Sequence, residues 1–201
     1  MQTRIAAVLS LLFGVALIVP TSAQMKAVMP SDEWVGLFTT LCLQKFPDDS
    51  ALATAAAEKG PAMTSAEVKS LLHDDPGQGW IVSGAQAKYF LTDEAPPYHS
   101  CALRRPTPAP INGNPFFDAA KQFVSANGGS LAPLQNRRVP GANGTSTLEV
   151  SAEVLDAKGQ PTDESYIFID VTNPAADKPD GTKSAPFFDV RFVRQIHHQG
   201  A

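Results

Sequence analysis

Reactive chemistry in this chain has little to draw on beyond four histidines, two cysteines and a scatter of carboxylates. His99-Ser100 is the first pair to weigh, because a serine hydrolase needs a hydroxyl activated by imidazole and an acid that orients the ring. Both residues lie in the run Tyr98 to Arg104, whose pattern predicts a strand, and adjacent strand residues point to opposite faces. The imidazole is thereby kept from the hydroxyl, and no GxSxG elbow occurs anywhere. The plainer reading sets His99 at the margin of the core, beside Cys101. A hydrolase built on this chain would use His99 or His73 with a nearby carboxylate.

Metal binding is the next chemistry to test. His73-Asp74-Asp75 offers one nitrogen and two carboxylates, and His197-His198 offers two imidazoles near the C-terminus. Zinc-type ligands recur at i, i+4 on a helix or i, i+2 on a strand, and neither cluster has that spacing. No metal site and no cofactor is expected on this basis. The acidic pairs Asp48-Asp49, Asp74-Asp75 and Asp93-Glu94 fall at expected element ends, where carboxylates cap helices or stay solvated. A glycosidase would need two carboxyls facing across a cleft, which spacing does not reveal. No catalytic residue is assigned.

The remaining candidates are surface features. Tyr98 and Arg104 share the strand face turned away from Cys101, and tyrosine and arginine are favoured anchors at protein interfaces. Arg104-Arg105 and Arg137-Arg138 offer charge for joint anion binding, but in an otherwise acidic chain two arginine pairs read as solvated loop charges. Asn143-Gly144-Thr145 fits a glycosylation sequon and equally a turn.

These residues need elements to hold them. Ser31 can cap a helix with Trp34, Leu37, Phe38, Leu41, Cys42 and Phe46 on one face, so that Cys42 points inward. Ser50 to Lys59 is alanine-rich and stops at Gly60. Thr64 and Glu67 have the spacing of a capping box ahead of Val68, Leu71 and Leu72. From Gly79 the pattern changes to short aromatic and β-branched runs, Trp80-Ile81-Val82 and Lys88 to Leu91, which predict a hairpin followed by the Tyr98–Arg104 strand. Asn114 and Pro115 open a further helix, with Phe116, Phe117, Ala120, Phe123 and Val124 on its apolar stripe and Gly128-Gly129 at its exit. Residues 129–145 lack periodicity and read as a long surface loop. Three antiparallel strands follow, over Leu148–Val154, Tyr166–Val171 and Phe187–Ile196, the last with Phe188, Val190, Phe192 and Ile196 facing inward.

The fold expected is therefore α+β: three N-terminal helices, a three-stranded antiparallel unit, one helix, then a three-stranded meander. One sheet of five or six strands with helices packed on one face satisfies the pattern, and two smaller sheets are the alternative.

Residues 1–23 set the compartment. Arg4 precedes an apolar run from Ile5 to Val19, then Pro20 and Thr21-Ser22-Ala23, the three parts of a cleaved signal peptide. The run is shorter than the ~20 residues of a membrane span. Cleavage is expected between Ala23 and Gln24, leaving 24–201 as one soluble domain in the periplasm or the medium. Cys42 lies too far from the cut to carry a lipid. The chain has 16 Lys and Arg against 20 Asp and Glu, a balance that disfavours nucleic acid as a partner.

An even cysteine count in an exported chain predicts a Cys42–Cys101 disulfide. For function, the expectation is a non-catalytic binding or interaction protein of the cell envelope, engaging a protein or another envelope component. The alternatives are a periplasmic hydrolase with a His/carboxylate site and a small-ligand carrier with a pocket between sheet and helices.

A disulfide acts as one unit, so Cys42→Ser and the Cys42→Ser/Cys101→Ser double variant should lose the same stability, about 4 kcal/mol for a loop of about 60 residues. Urea denaturation of the wild type, Cys42→Ser, Cys101→Ser and the double variant checks this. Additive losses from the two single variants would mean two independent thiols.

Overall fold

The computed structural model describes residues 31–177 and 181–198. The expected signal peptide, its cleavage point and the terminal Gln199-Gly200-Ala201 lie outside the described residues.

Among the described residues four α-helices and seven strands follow in order: α1 (Asp32–Phe38), α2 (Asp49–Ala57), α3 (Ser65–Leu72), β1 (Gly77–Ser83), β2 (Lys88–Glu94), β3 (Ser100–Thr107), α4 (Asn114–Ala126), β4 (Ser130–Pro140), β5 (Ser146–Leu155), β6 (Pro161–Asn173) and β7 (Phe187–Ile196). A π-helical turn, Thr39–Leu43, continues α1 directly. The strands form one sheet in the order β1-β2-β3-β7-β6-β5-β4, and every neighbouring pair is antiparallel. Insertion of β7 between β3 and β6 joins the two expected three-stranded units into a single sheet.

The extra strand is β4, where a surface loop was expected. Its side chains are mostly exposed on both faces, so no apolar alternation marks it. As an edge strand it tolerates Pro133 and Pro140, and the register shifts between Pro133 and Gln135. The opposite edge is covered differently: the segment after α2 lies along β1, with Met63 N–H donating to Gly79 and Ile81 N–H to Pro61.

Local capping largely follows the residue types. Asp48 accepts from Ala51 N–H at the start of α2, and Thr64 and Glu67 form the reciprocal box on α3. Ser31 makes no side-chain cap, and Gly113 rather than Asn114 precedes α4, with Asn112 Oδ1 accepting from Asn114 N–H. Gly128 takes the left-handed φ of 81° that lets the chain leave α4.

The core lies between the sheet and the layer made by α1, the π turn, α2 and α4. Phe192 is its hub, with ring centroids 4.5 Å from Phe116, 5.0 Å from Trp34, 5.7 Å from Phe168 and 6.1 Å from Phe38. Rings at these separations pack in the offset and edge-on arrangements that aromatic side chains favour. The expected placement of all helices on one face needs correction, because α3 packs on the other. Strand alternation puts Gly77 and Gly79 on that opposite face, and a Cβ at Gly77 would meet Leu72 at 2.6 Å. The same Cβ would collide with the Asp93 carbonyl of β2, so glycine there makes room for both the neighbouring strand and Leu72 of α3.

Cys42, in the π turn, is bonded to Cys101 on β3, with Cα atoms 5.5 Å apart. Next to Cys101 in register stands Arg194 of β7, 6% exposed. Its Nη1 donates to the carbonyls of Cys42, Leu43 and Phe46 at 3.1, 3.0 and 2.7 Å, and Nε donates to Glu164 at 2.8 Å. Phe46 and Phe123 stack on the guanidinium at 5.5 and 4.9 Å. A helix end leaves carbonyls without intrahelical partners, and here one buried cation serves three of them.

Arg194→Met keeps the bulk and removes the donors, leaving three carbonyls and Glu164 short of a partner. Chemical denaturation should show a loss of roughly 3–5 kcal/mol, the range for breaking one side of a buried ion pair. A loss within about 0.5 kcal/mol, as for an ordinary surface change, would contradict this role.

Candidate functional site

Helix α3 covers the β1–β2 end of the second sheet face and leaves the middle open. Alternation brings Thr92, Glu94, Ser100, Ala102 and Arg104 to that face from β2 and β3, and Arg191, Val193, Ile167 and Ile169 from β7 and β6. Together with Leu71, Leu72 and His73 at the end of α3 they line a groove of about 270 Å³. Ile167 and Ile169 are half-buried. Ser100 donates to Glu94 at 3.0 Å. Burial raises the Glu94 carboxyl above the usual range, the Ser100 hydrogen bond pulls it back, and nearby Asp75 pushes it up.

Arg104 lies in this groove but is committed to the fold. Its Nε and Nη2 each donate to Asp189 at 2.6 Å, a bidentate pair, and Arg191 reaches the same carboxylate at 3.1 Å. Tyr98 precedes β3 and is 50% exposed, with its ring edge-on to His197. Arg105 turns to the helix-covered face, over the ring of Tyr89. Arg137 pairs with Glu149 and Arg138 donates to Ser146, so both are engaged within the β4–β5 hairpin. Asn143 has a left-handed φ of 54° within a turn that Thr145 closes onto the Ala142 carbonyl. Asp74 is exposed and pairs with Lys69.

A second assembly gathers on the helix-covered side. His99 is buried against Phe46, and its Nε2 lies 2.7 Å from Asp49 Oδ1 and 3.9 Å from Asp93 Oδ1. His198 Nε2 stands 3.4 Å from His99 Nδ1, with the two rings stacked. Gln78 donates to Asp93 Oδ2, whereas Asp93 Oδ1 is buried without a hydrogen-bond partner among the described residues. Burial pushes the Asp93 carboxyl up and Asp49 adds to the shift; Gln78 and His99 oppose it. The recess in front holds about 200 Å³ and is lined by Asp49, Gly77, Gln78, Asp93 and Ala95.

No family model, curated protein or solved structure matches the chain in comparisons with known proteins.

Sequence spacing did not disclose the second assembly, since Asp49, Asp93 and His99 come from three elements. One signal was available. Tyr89, Leu91 and Asp93 occupy the same inward alternation of β2, and an acid at such a position needs a reason. Ser100, as strand alternation requires, turns to the other face and away from the imidazole.

Arg104→Ala should lower stability by about 2 kcal/mol, less than a fully buried pair because Arg104 is partly solvated and Arg191 still serves Asp189. Thermal and urea denaturation check it. No loss would return Arg104 to the solvated charges expected from sequence.

Proposed function

We propose that the protein is an exported, non-catalytic binding protein of the cell envelope, and that it engages a protein partner through the open face of its sheet. The observation that carries this reading is the groove between α3 and β6. It combines apolar Leu71, Ile167, Ile169 and Val193 with polar Thr92, Arg104, Arg191 and Gln195, and protein interfaces likewise join apolar contacts with polar ones. The 23-residue leader pattern and the disulfide support export; among the described residues no helix is long and apolar enough to cross a membrane.

A periplasmic hydrolase is the second reading, favoured by the contact between His99 and Asp49. It lacks an adjacent hydroxyl nucleophile in Ser100, which donates to Glu94 on the opposite face.

A photo-crosslinking residue placed at Ile169 in cells of the native source tests the leading reading, with Lys121 on the exposed side of α4 as control. One envelope protein should be captured from position 169 and not from 121. Capture of nothing, or of the same proteins from both positions, would overturn it.

A further inference from the structure

Asp93 stands with Asp170 and Arg191 among the described residues whose buried polar atoms lack a hydrogen-bond partner, and the binding reading leaves it unexplained. It is 4% exposed, yet Oδ1 has no hydrogen-bond partner among the described residues. A buried carboxylate oxygen is costly to strip of water, and natural structures pair such atoms with a donor or a cation. This oxygen lies 3.9 Å from His99 Nε2, and one ligand atom from each of Asp49, Asp93 and His99 lies within 4.8 Å of the other two.

We propose that Asp49, Asp93 and His99 form a binding site for one divalent transition-metal ion of the zinc class. One imidazole nitrogen with two carboxylate oxygens suits zinc or manganese better than calcium or magnesium, which prefer all-oxygen shells. The three ligands come from separately anchored elements. Asp49 sits at the first turn of α2, Asp93 on β2, and His99 immediately before β3 behind the disulfide. Asp49 is half-exposed, so the recess it shares with Gln78 and Ala95 gives an ion access and leaves room for coordinated water.

The outer contacts fit the same role. Gln78 holds the second oxygen of Asp93, which fixes the carboxylate with Oδ1 toward the site. His198 faces the other ring nitrogen of His99 at 3.4 Å, the position from which a partner sets the orientation of a ligating imidazole. Binding would place the ion on Nε2, so the neutral ring carries its single proton on Nδ1, facing His198.

Calorimetric titration of the EDTA-stripped, disulfide-intact protein with zinc chloride tests the proposal, with cobalt(II) absorbance reporting the ligand set. One ion per chain is expected. Asp93→Asn and His99→Gln should each weaken binding by more than the roughly 10–100-fold that loss of an outer partner costs. His73→Ala and His197→Ala should leave it unchanged, and excess magnesium should not compete. Asp49→Asn, at a half-exposed position, supplies the same comparison should a core variant fail to fold. Absence of binding at millimolar zinc, or unchanged binding in Asp49→Asn and Asp93→Asn, would overturn the site. Crosslinking through Ile169 is a separate readout, so the metal site and the protein-binding reading can fail independently.

Discussion

The Arg194 guanidinium is the contact on which the rest of this structure depends. A charge buried to 6% exposure would oppose folding if left unpaired, and several kcal/mol would be lost to desolvation alone. Here the cost is offset by three main-chain carbonyls, the Glu164 carboxylate and two aromatic faces. These partners come from opposite ends of the chain. Cys42, Leu43 and Phe46 lie at the end of the first helical segment, while Glu164 and Arg194 belong to the central strands β6 and β7. The helical layer is thus tied to the middle of the sheet by directed bonds, while aromatic packing around Phe192 supplies the non-directional part.

The same tie positions the histidine centre. Phe46, whose carbonyl Arg194 holds, packs edge-on against His99 at 4.5 Å. Asp49 follows three residues later, at the start of α2, and reaches His99 from there. On the other side Cys101, bonded to Cys42, is two residues beyond His99. The covalent bridge and the guanidinium therefore hold both walls of the recess, and Asp93 enters from β2 between them. On the opposite face of the sheet Asp189 organises a shallower ion cluster with Arg104 and Arg191, where solvent screens the charges more strongly. The two faces have different chemistry because one is sealed by helices and the other only partly covered by α3.

Much of the architecture was legible in residue patterns. Apolar positions at helical spacing located α1, and the Thr64–Glu67 box located α3. Alternation placed Cys101 and Leu103 on the core side of β3, and cysteine parity anticipated the disulfide. What escaped has physical causes. An edge strand exposed on both faces has no apolar period, so β4 looked like loop. The side of the sheet on which α3 packs depends on close approach to Gly77 and Gly79, a tertiary property. Arg194 interrupts the inward series Val190, Phe192, Ile196, and a cation at an inward position signals a buried partner that local sequence cannot name. Asp93 is the same kind of exception on β2. Both polar departures from an apolar alternation mark places where distant segments meet.

Native-state hydrogen exchange of the disulfide-intact protein, read amide by amide, tests the claim about Arg194 most directly. The amides of Lys45 and Phe46, which donate to Leu41 beside the guanidinium, should open with the same free energy as those of β6 and β7, because the clamp makes them one cooperative unit. Opening of residues 39–46 at a much lower free energy, while the central strands stay protected, would show that the sheet stands without the clamp and would contradict the account.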